Sequence, residues 1–224
     1  MLEELKRQVL RTARQAQRDG LCMPGSGNVS ARDPETGLIV VTPTGKDRDA
    51  LTEEDMVVMD RDARVVEALT GLKPTSECLM HLRIYQVRPR VRAVVHTHAM
   101  FATVFAVLDR PIPAITYEMM VLNCRDGIVP VAPYARPGTA ALADAVDGVC
   151  RRSDVFLLKG HGAVSADETG LEGAYRKMRY LEEIAALYHH ILTVNGGRDP
   201  DLFSPEELQA HSYPPEVRFP EGWA

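Results

Sequence analysis

Three histidines stand where apolar, strand-like segments end, and imidazole nitrogens are good zinc ligands. His96 and His98 flank Thr97 at the end of one such segment. Because a strand alternates its faces with a period of two, both imidazoles are expected on the same side. His161 follows another apolar segment and lies between two glycines, which allow a sharp turn. Each histidine alone is an ordinary packing or surface residue, but the set of three favours a catalytic metal site with an open coordination position.

Glu77 is the candidate carboxylate beside that metal. It follows Ser76, which has the character of a helix N-cap, so Glu77 is predicted in the first helical turn. Acidic residues are common there because of the helix dipole alone, and this structural explanation stays open. The functional alternative is a base that takes a proton from carbon. His81 lies one turn later on the same face, and we expect it to pack or to support the site without binding metal.

Three short polar loops are candidates for binding one phosphate group. They are Gly27-Asn28, Thr44-Gly45 and Thr75-Ser76. Each offers backbone N–H groups together with a short hydroxyl or amide side chain, and the third lies at a helix N-terminus. Each is an ordinary turn by itself, and none has the glycine spacing of a P-loop or a dinucleotide site.

The elements that must position these residues alternate between helix and strand. This alternation predicts one α/β domain over residues 1–224, with an irregular C-terminal tail from about residue 196. Helices are predicted near residues 2–20, 76–87, 101–108, 139–149 and 172–193, and strands near 38–42, 56–59, 64–68, 91–98 and 154–158.

The composition restricts the class of protein. The chain has 224 residues, of which 45% are hydrophobic and 25% charged, as expected for a globular domain with a sizeable core. A net charge of −5 without a long basic run argues against a nucleic-acid binder. It leaves a phosphorylated substrate open, because one phosphate is usually bound by local N–H groups.

The sequence predicts a cytoplasmic location without membrane attachment. Residues 1–15 are amphipathic and charged rather than signal-like, and no stretch approaches the roughly 18 apolar residues of a membrane span. Four cysteines lie far apart without C-x-x-C spacing, which favours reduced thiols. They are Cys22, Cys78, Cys124 and Cys150.

The motifs, taken in order along residues 1–195, resemble the class II aldolase/adducin family. The ordered set is far more specific than any one member of it. It comprises Gly25-x-Gly27-Asn28-x-Ser30, Thr42-Pro43-Thr44-Gly45, Ser76-Glu77, His96-x-His98, Ile112-Pro113-Ala114-Ile115-x-Tyr117, Ala132-Pro133-Tyr134-Ala135-x-x-Gly138-Thr139 and Gly160-His161-Gly162.

The resemblance implies a three-layer αβα fold around a mainly antiparallel sheet, and a homotetramer with active sites between subunits. It implies one zinc ion per subunit, bound by His96, His98 and His161, with Glu77 as the fourth ligand at rest and later the base. Tyr117 matches a proton donor that reaches the neighbouring subunit's site. The phosphate-binding positions are matched by Gly27, Asn28, Thr44, Gly45, Thr75 and Ser76.

The implied reaction is cleavage of a ketose 1-phosphate, such as L-fuculose 1-phosphate, to dihydroxyacetone phosphate and an aldehyde. Glu77 favours this branch over the pentulose-phosphate 4-epimerases, which carry aspartate at that position. Methylthioribulose-1-phosphate dehydratase and sugar-acid phosphate decarboxylase chemistry stay open, as does a non-enzymatic adducin-like scaffold. Tyr213, the one tyrosine of the tail, is the candidate for a second tyrosine contributed by the C-terminus.

Overall fold

The computed structural model describes residues 1–210. Its strands are β1 (Asn28–Arg32), β2 (Ile39–Val41), β3 (Val57–Met59), β4 (Val65–Glu67), β5 (Ala93–Thr97), β6 (Ile112–Pro113), β7 (Ile128–Val129), β8 (Val131–Ala132), β9 (Val155–Leu158) and β10 (Gly162–Asp167). Its α-helices are α1 (Glu3–Arg18), α2 (Cys78–Val87), α3 (Met100–Val107), α4 (Ala140–Ala145), α5 (Asp147–Cys150), α6 (Leu171–Val194) and α7 (Pro205–Ala210). Short 3₁₀ helices span Arg48–Ala50, Glu53–Asp55 and Tyr117–Leu122.

Eight strands form one sheet in the order β4-β3-β2-β1-β5-β10-β9-β8. All neighbours in it are antiparallel except β8 and β9, which are parallel. β6 and β7 form a separate antiparallel pair. The prediction of a mainly antiparallel sheet is therefore confirmed. β1, β5 and β10 lie at its centre, where the site is built.

Helices cover both faces of this sheet. In β5, Ala93 and Val95 join the core that contains α1, α3 and α6. Val94 points the other way, into a second core with α2, α4 and α5. We call this second side the α2 face. Because β5 is buried along its whole length, its side chains alternate between two dry interfaces, which is the predicted three-layer arrangement.

The structure departs from the predicted elements in several places. β1 is not predicted by the sequence, and its first residue, Asn28, was expected in a polar loop, because Asn-Val-Ser-Ala-Arg is more polar than a typical buried strand. β10 was not predicted, since it is rich in small and polar residues. The predicted helix over 139–149 is divided into α4 and α5, and the tail expected to be irregular contains α7.

None of the helices within residues 1–210 has the length and apolar character needed to cross a bilayer.

Candidate active site

Three strands and one turn bring the three histidines together. His96 lies in β5, opposite Asn28 of β1 on one side and Val164 of β10 on the other. His98 follows the end of β5, and His161 lies in the turn that leads into β10. The ring centroids are 4.7 to 5.1 Å apart, and one nitrogen from each ring lies within 4.8 Å of the others. The predicted histidine cluster is therefore present in one chain.

The hydrogen bonds of His96 determine which of its nitrogens faces the cluster. Nδ1 lies 2.9 Å from the carbonyl oxygen of Ala163, and because a carbonyl only accepts, Nδ1 carries the proton. Nε2 is then the nitrogen that faces Glu77. Within residues 1–210, His96 Nε2, His98 Nε2 and Glu77 Oε1 are buried without a hydrogen-bond partner. Buried donor atoms left in this way are what a metal ion would satisfy.

Burial also sets the protonation state of the ligands. Burial and the neighbouring His96, against the opposing effect of Glu77, lower the pKa of His98 and of His161 to about 4. Both rings are thus neutral near pH 7. Neutral imidazole is the form that binds a metal, so these two rings do not have to lose protons before an ion enters.

Glu77 completes the cluster from α2. Its Oε2 lies 3.2 Å from His96 Nε2 and its Oε1 lies 3.5 Å from His161 Nε2. Burial alone would raise the pKa of Glu77, but His96, a hydrogen bond from Asn28, and His161 together hold it well below its usual value. The side chain is therefore an ionised carboxylate in a buried position.

Glu77 occupies the N-cap position of α2, one residue earlier in the helix than predicted, and Ser76 precedes the cap. Its side chain makes no capping hydrogen bond. The carboxylate is directed to the histidines instead of the helix N–H groups, and its place at the helix N-terminus is also favourable for the helix dipole. The physical reason is a tight turn before the helix, in which the N–H of Cys78 donates to the carbonyl of Thr75.

The donor set fits zinc. Three imidazoles and one carboxylate give nitrogen and oxygen ligands of the borderline type that zinc prefers, and substrate oxygen can replace a carboxylate ligand. His96, His98 and His161 would hold the ion, with Glu77 beside them.

The three predicted phosphate loops adjoin one another. The N–H of Thr44 donates to the carbonyl of Lys73, and the N–H of Thr75 donates to the carbonyl of Thr42. Gly45 lies against Gly25, because a Cβ added to Gly25 would lie 3.6 Å from the carbonyl carbon of Gly45. Thr44, Gly45 and Ser76 are exposed, and Gly27, Asn28 and Thr75 are buried.

Gly27 joins the first of these loops to β5, the strand that carries His96. Its φ of +65° is in the left-handed region, and a Cβ there would lie 2.8 Å from the carbonyl oxygen of His96 and 2.4 Å from Cys22 Sγ. A larger residue would have to push the loop away from β5. Asn28, next in the chain, donates from Nδ2 to Glu77 Oε2 at 2.8 Å, so the amide serves the carboxylate directly.

Sequence reasoning missed Arg48, which lies behind two of these loops. Its side chain is 3% exposed, and its guanidinium donates to the carbonyls of Gly27 and Pro43. The ion pairs found among residues 1–210 include none to Arg48. Its position after Thr-Gly-Lys-Asp in a strongly polar stretch indicates a surface residue, so the sequence carried no signal for this role.

The structure describes Tyr117, one of the two candidate catalytic tyrosines, but not Tyr213. Tyr117 opens the 3₁₀ helix Tyr117–Leu122, and its side chain is 42% exposed, so it can contact another copy of the chain. Its catalytic role stays a prediction. Tyr213 lies outside the described residues.

The chain is similar to known proteins over most of its length. Residues 7–189 match the model of the class II aldolase and adducin N-terminal domain. An L-fuculose phosphate aldolase of Methanococcus vannielii is 41% identical over 167 residues, covering 75% of this chain and 86% of that protein. A 5-methylthioribulose-1-phosphate/5-deoxyribulose-1-phosphate aldolase of Escherichia coli O45:K1 is 38% identical over 185 residues, covering 83% of each. A solved structure of L-fuculose 1-phosphate aldolase superposes with a TM-score of 0.84 at 32% identity, covering 92% of this chain and 93% of that one.

Proposed function

The chain belongs to the class II aldolase and adducin family, and we propose that it is a zinc-dependent aldolase acting on a ketose 1-phosphate. The proposed products are dihydroxyacetone phosphate and an aldehyde, as for an L-fuculose 1-phosphate-like substrate. Support comes from the similarity to L-fuculose phosphate aldolases over 75% of the chain.

One observation carries the proposal: the carboxylate of Glu77 lies 3.2 Å from His96 and 3.5 Å from His161 in a cluster of three imidazoles. A carboxylate so close to a metal site can hold a proton taken from substrate carbon. This arrangement also argues against a scaffold that has lost its site, because all four donor side chains are present and converge.

The proposed roles follow from these positions. A zinc ion bound by the histidines supplies a Lewis acid that polarises the oxygens of the three-carbon donor. In the direction of synthesis, Glu77 takes the proton from the donor carbon that forms the new bond, and returns it in cleavage. Tyr117 of a neighbouring copy gives its phenolic proton to the aldehyde oxygen as that bond forms, and regains it in cleavage.

We also propose a role for the polar loops and an oligomeric state for the enzyme. Gly27, Asn28, Thr44, Gly45, Thr75 and Ser76 bind the phosphate, which fixes the donor carbon beside Glu77. The enzyme is proposed to be a homotetramer with sites at subunit interfaces, because Tyr117 is exposed on its own chain. We place it in the cytoplasm, since all four cysteines are free thiols.

A second candidate substrate is favoured by a specific relative. The 38% identical Escherichia coli protein is named for 5-methylthioribulose 1-phosphate and 5-deoxyribulose 1-phosphate. Each of these compounds shares the phosphorylated three-carbon donor half with L-fuculose 1-phosphate and differs from it in the aldehyde released. The donor half therefore matches in either case, and the aldehyde distinguishes the two candidates.

The test combines metal analysis with release of dihydroxyacetone phosphate from L-fuculose 1-phosphate, L-ribulose 1-phosphate and 5-deoxyribulose 1-phosphate. About one zinc per chain, with release abolished by a chelator and restored by zinc, is expected. Zinc without release from any substrate would contradict the aldolase and favour dehydratase, decarboxylase or epimerase chemistry. Absence of bound metal after loading would favour the scaffold.

A further inference from the structure

Helix α2 and strand β1 carry matching ladders of polar side chains on the α2 face. α2 presents Glu77, His81 and Tyr85 at intervals of four residues, and β1 presents Asn28 and Ser30 two residues apart. Four helical residues advance about 6 Å and two strand residues about 6.6 Å, so the spacings agree. The side chains of the strand therefore fit between successive side chains of the helix.

The two ladders form one unbroken hydrogen-bonded row. Asn28 Nδ2 lies 2.8 Å from Glu77 Oε2, and Asn28 Oδ1 lies 2.5 Å from His81 Nε2. His81 Nδ1 lies 2.7 Å from Ser30 Oγ, which lies 2.8 Å from the Tyr85 hydroxyl. Every member is buried, with between 0% and 6% of its surface exposed. Such a row in an apolar layer is costly unless its groups are paired, and each of these five side chains makes at least one hydrogen bond to a neighbour in the row.

The Glu77 carboxylate at one end of the row determines which atom is the donor in each of its hydrogen bonds. An ionised carboxylate only accepts, so Asn28 must present its NH₂ group to Glu77 and its carbonyl oxygen to His81. His81 Nε2 then carries the proton. Nδ1 has none and accepts from Ser30, whose oxygen accepts in turn from Tyr85. Burial lowers the pKa of His81 to about 3, which agrees with a neutral ring.

We propose that His81 is the positioning residue that orients the Asn28 amide and, through it, the catalytic carboxylate of Glu77. Without the Nε2–H of His81, the amide can rotate by half a turn and set its oxygen against the carboxylate. With it, one amide N–H binds Glu77 and the second stays available to a substrate oxygen. His81 thereby couples the base to the proposed phosphate loop Gly27-Asn28.

This inference rests on the proposed function, but the tautomer of His81 can be measured without any assay of activity. We would record ¹⁵N–¹H spectra of the histidines in the metal-free full-length chain at pH 7, and assign His81 by the signal lost in His81→Gln. The expected result is a neutral ring protonated at Nε2. A ring protonated at Nδ1, or at both nitrogens, would overturn the proposal whether or not the chain is an aldolase.

Two substitutions of His81 then separate positioning from mere packing. Glutamine places an N–H close to where Nε2 was, whereas asparagine reaches only as far as Nδ1. His81→Gln is expected to keep kcat within a few-fold of wild type, and His81→Asn to lower it about tenfold to a hundredfold with little change in KM or zinc content. Equal kcat in the two variants would contradict the proposal.

Tyr85→Phe supplies a graded control at the far end of the row. It removes the last donor but leaves the His81–Asn28 contact in place, so a smaller loss of kcat than for His81→Asn is expected. A larger loss would contradict the assignment to His81. If the spectra show the expected tautomer while the wild type cleaves no ketose 1-phosphate, the proposed function fails and the positioning role stands.

Discussion

Asn28 and His96 face each other across the antiparallel pair of β1 and β5. Because directly opposite residues project from the same face of a sheet, the amide of Asn28 and the imidazole of His96 both reach the α2 face, where Glu77 lies. The carboxylate contacts both, at 2.8 Å from Asn28 Nδ2 and 3.2 Å from His96 Nε2. The pairing of two central strands thus joins the histidine cluster to the loop proposed to bind phosphate.

Loss of a histidine ligand is expected to remove metal and activity together. His96→Ala or His161→Ala leaves two imidazoles, too few for a stable catalytic zinc site. We expect zinc well below one per chain by mass spectrometry and no detectable release of dihydroxyacetone phosphate. His190→Ala is the matched control, since His190 is exposed on α6, and it should retain both. Full activity in His161→Ala would contradict the site.

Glu77→Gln is expected to separate metal binding from proton transfer. The amide cannot accept the carbon-bound proton, but the three histidines remain. Zinc should stay near the wild-type level while kcat falls about 10²- to 10⁴-fold. Exchange of the donor proton of dihydroxyacetone phosphate in D₂O, followed by NMR, measures the step directly. Exchange at the wild-type rate would show that another group is the base.

The metal-free protein is expected to lose stability as the pH falls from about 6.5 to 4. Burial lowers the pKa of His81 to about 3, and of His98 and His161 to about 4. In this range the unfolded chain binds protons that the folded chain does not, so lower pH favours unfolding. Urea denaturation at pH 7, 5.5 and 4.5 measures the trend. The stability of His161→Gln should depend less on pH than that of the wild type. An equal pH dependence would show that His161 does not contribute to it.

Arg48→Met is expected to loosen the phosphate loops. The variant leaves the carbonyls of Gly27 and Pro43 without their guanidinium donor, which costs about 1–3 kcal/mol for each buried group left unpaired. We expect a lower Tm and a higher inhibition constant for inorganic phosphate, measured with zinc bound. Lys46→Met removes an exposed positive charge nearby and should change the Tm little. Equal effects of the two variants would contradict a specific role for Arg48.

Shared active sites are expected to show complementation between two inactive variants. Tyr117→Phe and Glu77→Gln should each have low activity as pure assemblies. If Tyr117 acts in the neighbouring subunit's site, co-expression produces some sites with both intact residues, and activity rises above either parent. If both residues act within one chain, every site in the mixture has a defect. No gain in a mixed tetramer, verified by native mass spectrometry, would then place Tyr117 elsewhere.

The fold could be predicted from the sequence where local patterns are strong. α1, α3, α6, β5 and β9 lie close to their predicted positions, because apolar periodicity alone specifies an amphipathic helix or a buried strand. β1 was misread, since Asn28 and Ser30 look like loop residues. They are tolerated in a buried strand because His81 and Glu77 satisfy their hydrogen bonds, and those partners come from distant sequence.

The sequence by itself identified the three clustered histidines. His96 and His98 are related by the two-residue period of a strand, and His161 by the freedom of its flanking glycines, both of which are local properties of the chain. Tertiary structure alone decided which way Asn28 points, that Arg48 is buried, and that Glu77 meets the histidines instead of capping α2. Those relationships depend on the β1–β5 pairing and on the packing of α2 over it, where desolvation selects contacts that no local pattern encodes.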